Sequence, residues 1–189
     1  MFASTAQGAE LDTQFTRLVS EQRGGSLDEF FIEISQIVRP LFIAPATLVA
    51  AALLWFRFRA LALLLPVSFG SAIAMTYAMK WFLGRERPAG DLSMVNLQDA
   101  AFPSAHVAGT ASASMALLQI LMPVLRRTMR RLLEVVVLAL VACVALSRVW
   151  IGAHWLTDVI AGLFVGVVGL LIGLLVLRSS WFRRLIRTR

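Results

Sequence analysis

The chain has 189 residues, 59% of them hydrophobic, and a formal net charge of +7. Its mean hydropathy of +0.78 is too high for an ordinary soluble domain. The positive charge sits in short clusters beside apolar runs, and nothing in the chain resembles a nucleic-acid-binding module, so no nucleic-acid partner is expected.

Residues 1–26 are polar and mixed, without the apolar stretch of a secretory signal peptide. Ser26-Leu27-Asp28-Glu29 has the spacing of a capping box opening a helix. Beyond it Leu27, Phe30, Phe31, Ile34, Ile37, Val38 and Leu41 recur at helical spacing, with Asp28, Glu29 and Glu33 off that stripe. Such a helix lies at the membrane interface or packs on a bundle, and the pattern fits both. Five runs then follow, each near the length of about 20 apolar residues that crosses a bilayer. Residues 40–56, 60–79 and 159–177 carry no charge, 105–125 carries one histidine near its start, and 132–151 is apolar apart from Glu134 and Arg148. The expected fold is all-α. It is an integral membrane bundle of about five transmembrane helices preceded by an N-terminal amphipathic interfacial helix. Residues 1–26 form a polar N-terminal segment, 27–177 the membrane domain and 178–189 a basic cytoplasmic tail. The single cysteine, Cys143, falls mid-helix and reads as a small core residue.

The arginines orient the bundle. Arg57 and Arg59 join the first two spans; Arg126, Arg127, Arg130 and Arg131 join the third and fourth; Arg178, Arg183, Arg184, Arg187 and Arg189 follow the fifth. In a five-span arrangement all lie at one membrane face, which the positive-inside rule makes cytoplasmic. The loop over 80–101 and the stretch around His154 then face the other side.

At that other face the sequence gathers its only lysine, Lys80, and both of its histidines, His106 and His154, with Arg87, Arg148 and Asp158. Taken singly, a lysine or arginine at a helix end is ordinary snorkelling; six ionisable groups delivered from distant segments to one place are a functional set. His154 and Asp158 are four apart, so on a helix they share a face, and the carboxylate accepts a hydrogen bond from one ring nitrogen, leaving the other as a nucleophile or base. A zinc site is the weaker reading, with two histidines and few nearby acids. Pro103 and Ser104 suit a helix start, whose free N–H groups bind anions. Lys80, Arg87 and Arg148 around that start suit a phosphate dianion, with His106 as general acid. The set suggests phosphoryl transfer through a phosphohistidine, with no metal or cofactor required.

KWFLGRERP (80–88), PSAH (103–106) and SRVWIGAHWLTD (147–158) resemble in order and spacing the three-part signature of the type 2 phosphatidic acid phosphatase superfamily, KxxxxxxRP, PSGH and SRxxxxxHxxxD. The resemblance implies that His154 is the nucleophile, Asp158 its orienting partner and His106 the general acid. It makes Lys80, Arg87 and Arg148 the phosphate ligands, helped by Ser104 and the backbone at Ala105. Two departures stand out: Ala105 replaces a glycine, and a polar amphipathic segment stands where many members have a sixth span. The implied protein is a lipid phosphatase of a bacterial-type inner membrane with an extracytoplasmic site. Undecaprenyl diphosphate is the leading substrate, ahead of phosphatidylglycerol phosphate and phosphatidic acid. A lipid-to-lipid phosphotransferase would use the same phosphohistidine, and a transporter or lipid-binding subunit would not need it. Gly162, Gly166, Gly169 and Gly173 suit close packing of the fifth span into the bundle or, alternatively, dimerisation.

Overall fold

The computed structural model describes residues 6–180, and these are helical without a strand. Seven α-helices run in order: α1 (Ala6–Ser20), α2 (Ser26–Ile37), α3 (Pro40–Phe58), α4 (Leu64–Leu83), α5 (Ala105–Leu121), α6 (Arg127–Trp150) and α7 (Leu156–Arg178). Four stretches are long and apolar enough to cross a membrane, the first being the 44 residues Pro40–Leu83. As one helix it would reach about 66 Å, twice the roughly 30 Å of hydrocarbon. It is instead α3 and α4 in succession. Arg59, with φ of 51°, ends α3 and begins a 3-10 turn over Arg59–Leu63. The membrane-length helices are therefore α3 to α7, as the sequence led us to expect. Of the basic tail, residues 181–189 lie outside the described residues.

At the centre α4, α5 and α7 pack on one another, with α6 against α5 and α3 flanking α4 and α5. Small residues allow the approach. A Cβ on Gly166 would lie 2.8 Å from Ala111 Cβ, and one on Gly169 would lie 2.7 Å from Ala72 Cβ. The glycine face of α7 is thus covered by the chain's own helices, which decides between the two readings of that series. Lipid tails give helices no hydrophobic drive to associate, so such close van der Waals fits matter. The outer faces present Leu53, Phe56, Trp81, Phe82, Leu138, Phe164 and Leu175, a surface suited to acyl chains.

Helix α2 touches the bundle on one face and exposes Leu27, Phe30 and Ile37 on another, which fits both readings of its stripe. It packs on α6; Phe31 lies 5.0 Å from Trp150, centroid to centroid. Asp28, expected to lie off the packed stripe, accepts a 2.8 Å hydrogen bond from Trp150 Nε1. The expected capping box does not form: Gly25 is the N-cap, with no side-chain cap, and Asp28 instead reaches back past it to the N–H of Gly24 at 2.8 Å. Ser26 is already inside the helix, so its hydroxyl has no cap to make. Ahead of it α1 rests against α6 and α7, and it buries Asp12 and Thr16 at 1% and 0% exposure.

Candidate active site

Three helix ends and two loops build the site. The left-handed Gly84 ends α4 just after Lys80 and Leu83, releasing the loop that carries Arg85 and Arg87. That loop is pinned from the other side by Gly152 (φ 66°). A Cβ there would overlap the Leu92 carbonyl, so the close approach needs glycine. Met94 N–H donates to Ile151 O at 3.0 Å, and Ser93 Oγ donates to Gly152 O at 3.0 Å. Between α6 and α7 the chain turns tightly, and the Arg148 carbonyl accepts the N–H groups of Ala153 and His154 at 3.0 and 3.2 Å. The arginine and the histidine of the third motif are thereby locked together through the backbone.

Lys80, Arg87, Ala105, His106, Arg148 and His154 line one cavity of about 410 Å³, where the sequence analysis placed them. Ser104 and Asp158 stand behind its wall, both fully buried. Ser104 is the N-cap of α5, its N–H donates to Asp158 O at 3.0 Å, and its hydroxyl has no partner. Two helix N-termini, those of α5 and α7, therefore converge here, each with a partial positive charge. Ala105 is not among the residues with positive φ, so a methyl group in place of hydrogen costs no backbone strain.

His154 is 2% exposed. Its Nε2 lies 3.3 Å from Arg87 Nη1. A guanidinium only donates, so Nε2 accepts and the ring proton sits on Nδ1. Burial, then the charges of Arg148, Arg87 and Lys80, hold the imidazole pKa well below its ordinary value, so the ring is a neutral lone-pair donor.

The expected His154–Asp158 hydrogen bond is not made: Nδ1 to Oδ2 is 3.6 Å, and Nδ1 has no partner. The premise of a shared helix face also fails. His154 precedes the Trp155 N-cap of α7, while Asp158 sits in the first turn and accepts the Trp155 N–H at 2.9 Å. Its other oxygen accepts from Arg85 Nη1 at 2.5 Å.

Four participants carried no signal in the sequence. Asp99 accepts from Lys80 Nζ at 3.0 Å and from Arg87 Nη2 at 2.8 Å, so one carboxylate engages two of the three cations expected to bind phosphate. Ser35 of α2 accepts from Arg148 Nη1. Arg85 and Asp12 form an ion pair at 2.6 Å behind Asp158. Among the described residues no three His, Cys, Asp or Glu side chains gather as a metal-ligand group.

Residues 60–184 match the PAP2 superfamily. The chain belongs to that superfamily. It is a PAP2 membrane phosphatase, a hydrolase of phosphate esters. It is 24% identical over 165 residues to an undecaprenyl-diphosphatase of Sulfolobus acidocaldarius, covering 85% of this chain and 75% of that one. Its fold is that of a PAP2-type phosphatidylglycerolphosphate phosphatase from Bacillus subtilis. The two superpose with a TM-score of 0.81 at 24% identity, over 92% of this chain and 86% of the other. Aquifex aeolicus LpxE matches with a TM-score of 0.68 at 20% identity, over 87% and 94% of the two chains. The PAP2 match begins at residue 60, so α1 and α2, which bring Asp12 and Ser35 to the site, lie ahead of it.

Proposed function

We propose that the chain hydrolyses a lipid diphosphate, undecaprenyl diphosphate first, through a phosphohistidine on His154 and without a metal. The observation that carries this is the 3.3 Å approach of Arg87 Nη1 to His154 Nε2. It puts the ring proton on Nδ1 and Nε2 beside the cations that would hold the phosphate, with the lone pair freed for attack once Arg87 turns to the phosphate. Lys80, Arg87, Arg148 and the N-terminus of α5 bind the terminal phosphoryl group. The Nε2 lone pair forms the N–P bond as the bond from phosphorus to the leaving oxygen breaks, and His106 passes a proton to that oxygen. Water then attacks phosphorus, gives its proton back to His106 and breaks the N–P bond, releasing phosphate. The relative named as an undecaprenyl-diphosphatase supports the choice of substrate.

We place the site on the extracytoplasmic side of a bacterial-type inner membrane. Support comes from Arg57, Arg59, Arg126, Arg127, Arg130 and Arg131, which fall in the turns at the far ends of the same helices.

The test is phosphate release by detergent-purified protein with EDTA present. Undecaprenyl diphosphate, phosphatidylglycerol phosphate and phosphatidic acid are offered in parallel, with His154→Ala as control. Release from the diphosphate that survives EDTA and vanishes in the variant is expected. Preference for either monoester would replace the substrate, and a labelled lipid product carrying the donor's phosphate would make the chain a phosphotransferase.

A further inference from the structure

Behind Asp158, on the side away from the cavity, lies a closed cluster that the phosphatase signature does not contain. Asp12, on α1, accepts the Thr157 N–H at 2.9 Å through Oδ1, and the Thr157 hydroxyl at 2.6 Å and Arg85 Nη2 at 2.6 Å through Oδ2. Arg85 Nη1 donates to the Thr157 hydroxyl at 2.7 Å and to Asp158 Oδ1 at 2.5 Å. The threonine thus gives its proton to Asp12 and accepts from Arg85, using both capacities of one hydroxyl. The Arg85 guanidinium also lies over the Trp155 ring, 5.9 Å from its centroid. Asp12 is 1% exposed and Asp158 is 0% exposed. A buried aspartate 145 residues from its partner in sequence is costly unless fully paired, and here both oxygens are used.

The charges identify what the cluster serves. Two carboxylates share one guanidinium, leaving one net negative charge directly behind the His154 ring. When neutral Nε2 bonds to phosphorus, the imidazole keeps its Nδ1 proton and becomes cationic. That new positive charge faces Asp158 across the 3.6 Å gap. If Arg85 paired with Asp158 alone, the pair would be neutral and the carboxylate a poorer partner for the cation. Asp12 takes half of the guanidinium and restores the deficit.

We infer that Asp12, through Arg85 and Thr157, is a positioning residue for the nucleophile, which makes helix α1 part of the catalytic apparatus. It touches no substrate: its work is to hold Arg85 and Thr157, and through them Asp158, in place, and to leave the cluster one net negative charge behind His154 during attack. The inference rests on His154 as the phosphorylated residue.

The experiment is rapid-quench measurement of phosphoenzyme formation, with steady-state kinetics and vanadate inhibition, on Asp12→Asn, Arg85→Gln and the double variant. Asp12→Asn is expected to slow phosphoenzyme formation and kcat by roughly ten- to a hundredfold. KM and the vanadate inhibition constant should stay within about twofold, because Lys80, Arg87 and Arg148 do not touch Asp12. The double variant should be no slower than Arg85→Gln, since Asp12 acts through Arg85. An Asp12→Asn protein that forms phosphoenzyme at the wild-type rate, or a loss that multiplies with that of Arg85→Gln, overturns the inference. Should Asp12→Asn fail to fold, Thr157→Val removes only the bridging hydroxyl. Slowed phosphoenzyme formation supports the inference, and a wild-type rate in the folded variant overturns it. A wild-type enzyme that turns over without any phosphoenzyme, with His154→Gln still active, would instead remove the nucleophile reading, and the inference with it.

Discussion

His154 Nδ1 stands 3.6 Å from Asp158 Oδ2 although only Asp158 belongs to a helix. The carboxylate is anchored by the Trp155 N–H and by Arg85, so it is fixed before the histidine needs it. Asp158→Asn should keep the phosphate cations in place and slow attack, with kcat falling by about 10²–10⁴-fold. Phosphate or vanadate affinity should change little. Equal kcat in the variant and the wild type, read by phosphate release, would separate Asp158 from the chemistry.

Asp99 engages Lys80 and Arg87, the cations proposed to hold the phosphate. Burial pulls its pKa up, but the hydrogen bond from Lys80 and the charge of Arg87 prevail and hold it below the ordinary carboxylate value. It is therefore ionised at neutral pH, and a phosphate bound by the same two cations would meet its negative charge. Asp99→Asn is expected to bind vanadate or product phosphate more tightly, by roughly tenfold. Inhibition curves that superpose on wild type would show that Asp99 does not contest the site.

Acid should weaken the fold through His154. Its folded pKa is depressed by burial first and by the neighbouring cations next. The unfolded chain takes up a proton near pH 6.5 that the folded ring refuses. Stability therefore falls as pH drops below that value, by up to about 1.4 kcal/mol per pH unit. Asp99, with a lowered pKa, adds its own loss only at more acidic pH. Thermal melts between pH 7 and 5 should show a shallower decline for His154→Gln than for wild type. Parallel slopes would mean that the ring is protonated in the folded protein.

Glycines of α7 differ in what they protect. A Cβ on Gly162 would lie 2.7 Å from the Ser104 carbonyl oxygen, whereas one on Gly169 would press on Ala72 and Ser68, away from the cavity. Overpacking costs about 1–3 kcal/mol in either place. Gly162→Ala should additionally displace the start of α5 and cut kcat more than Gly169→Ala at matched residual stability. The reverse order, from melts and turnover side by side, would argue against that route.

Cysteine labelling tests the orientation. With Cys143 replaced by alanine, a cysteine at Gln98 should react with membrane-impermeant thiol reagents added to intact cells. One at Arg127 should react only after permeabilisation. The opposite pattern would place the catalytic face in the cytoplasm.

The five long helices were legible because apolar runs of that length with few or no charges have one solution in a bilayer, and three motifs named six of the cavity-lining residues. Asp99 was not, because its partners are 12 and 19 residues away across an irregular loop and no periodicity marks them. Asp12 and Ser35 were hidden for a related reason: each is a small polar residue in an amphipathic segment, and only the packing of α1 and α2 brings it to the site. The spacing of His154 and Asp158 suggested a shared helix face that the structure does not contain. It assumed a helix that begins two residues later than the histidine, with the contact made by the turn before it.

Asp12 and Thr157 are joined across 145 residues of chain, which sets an order on biogenesis. At about 5–20 residues per second of synthesis, α1 waits roughly 7–30 s before the start of α7 exists. Until then its aspartate can stay only in water or with a temporary partner. Helix α1 is made well before α7 and is locked only after it, so the cluster behind Asp158 closes only when α7 has been inserted.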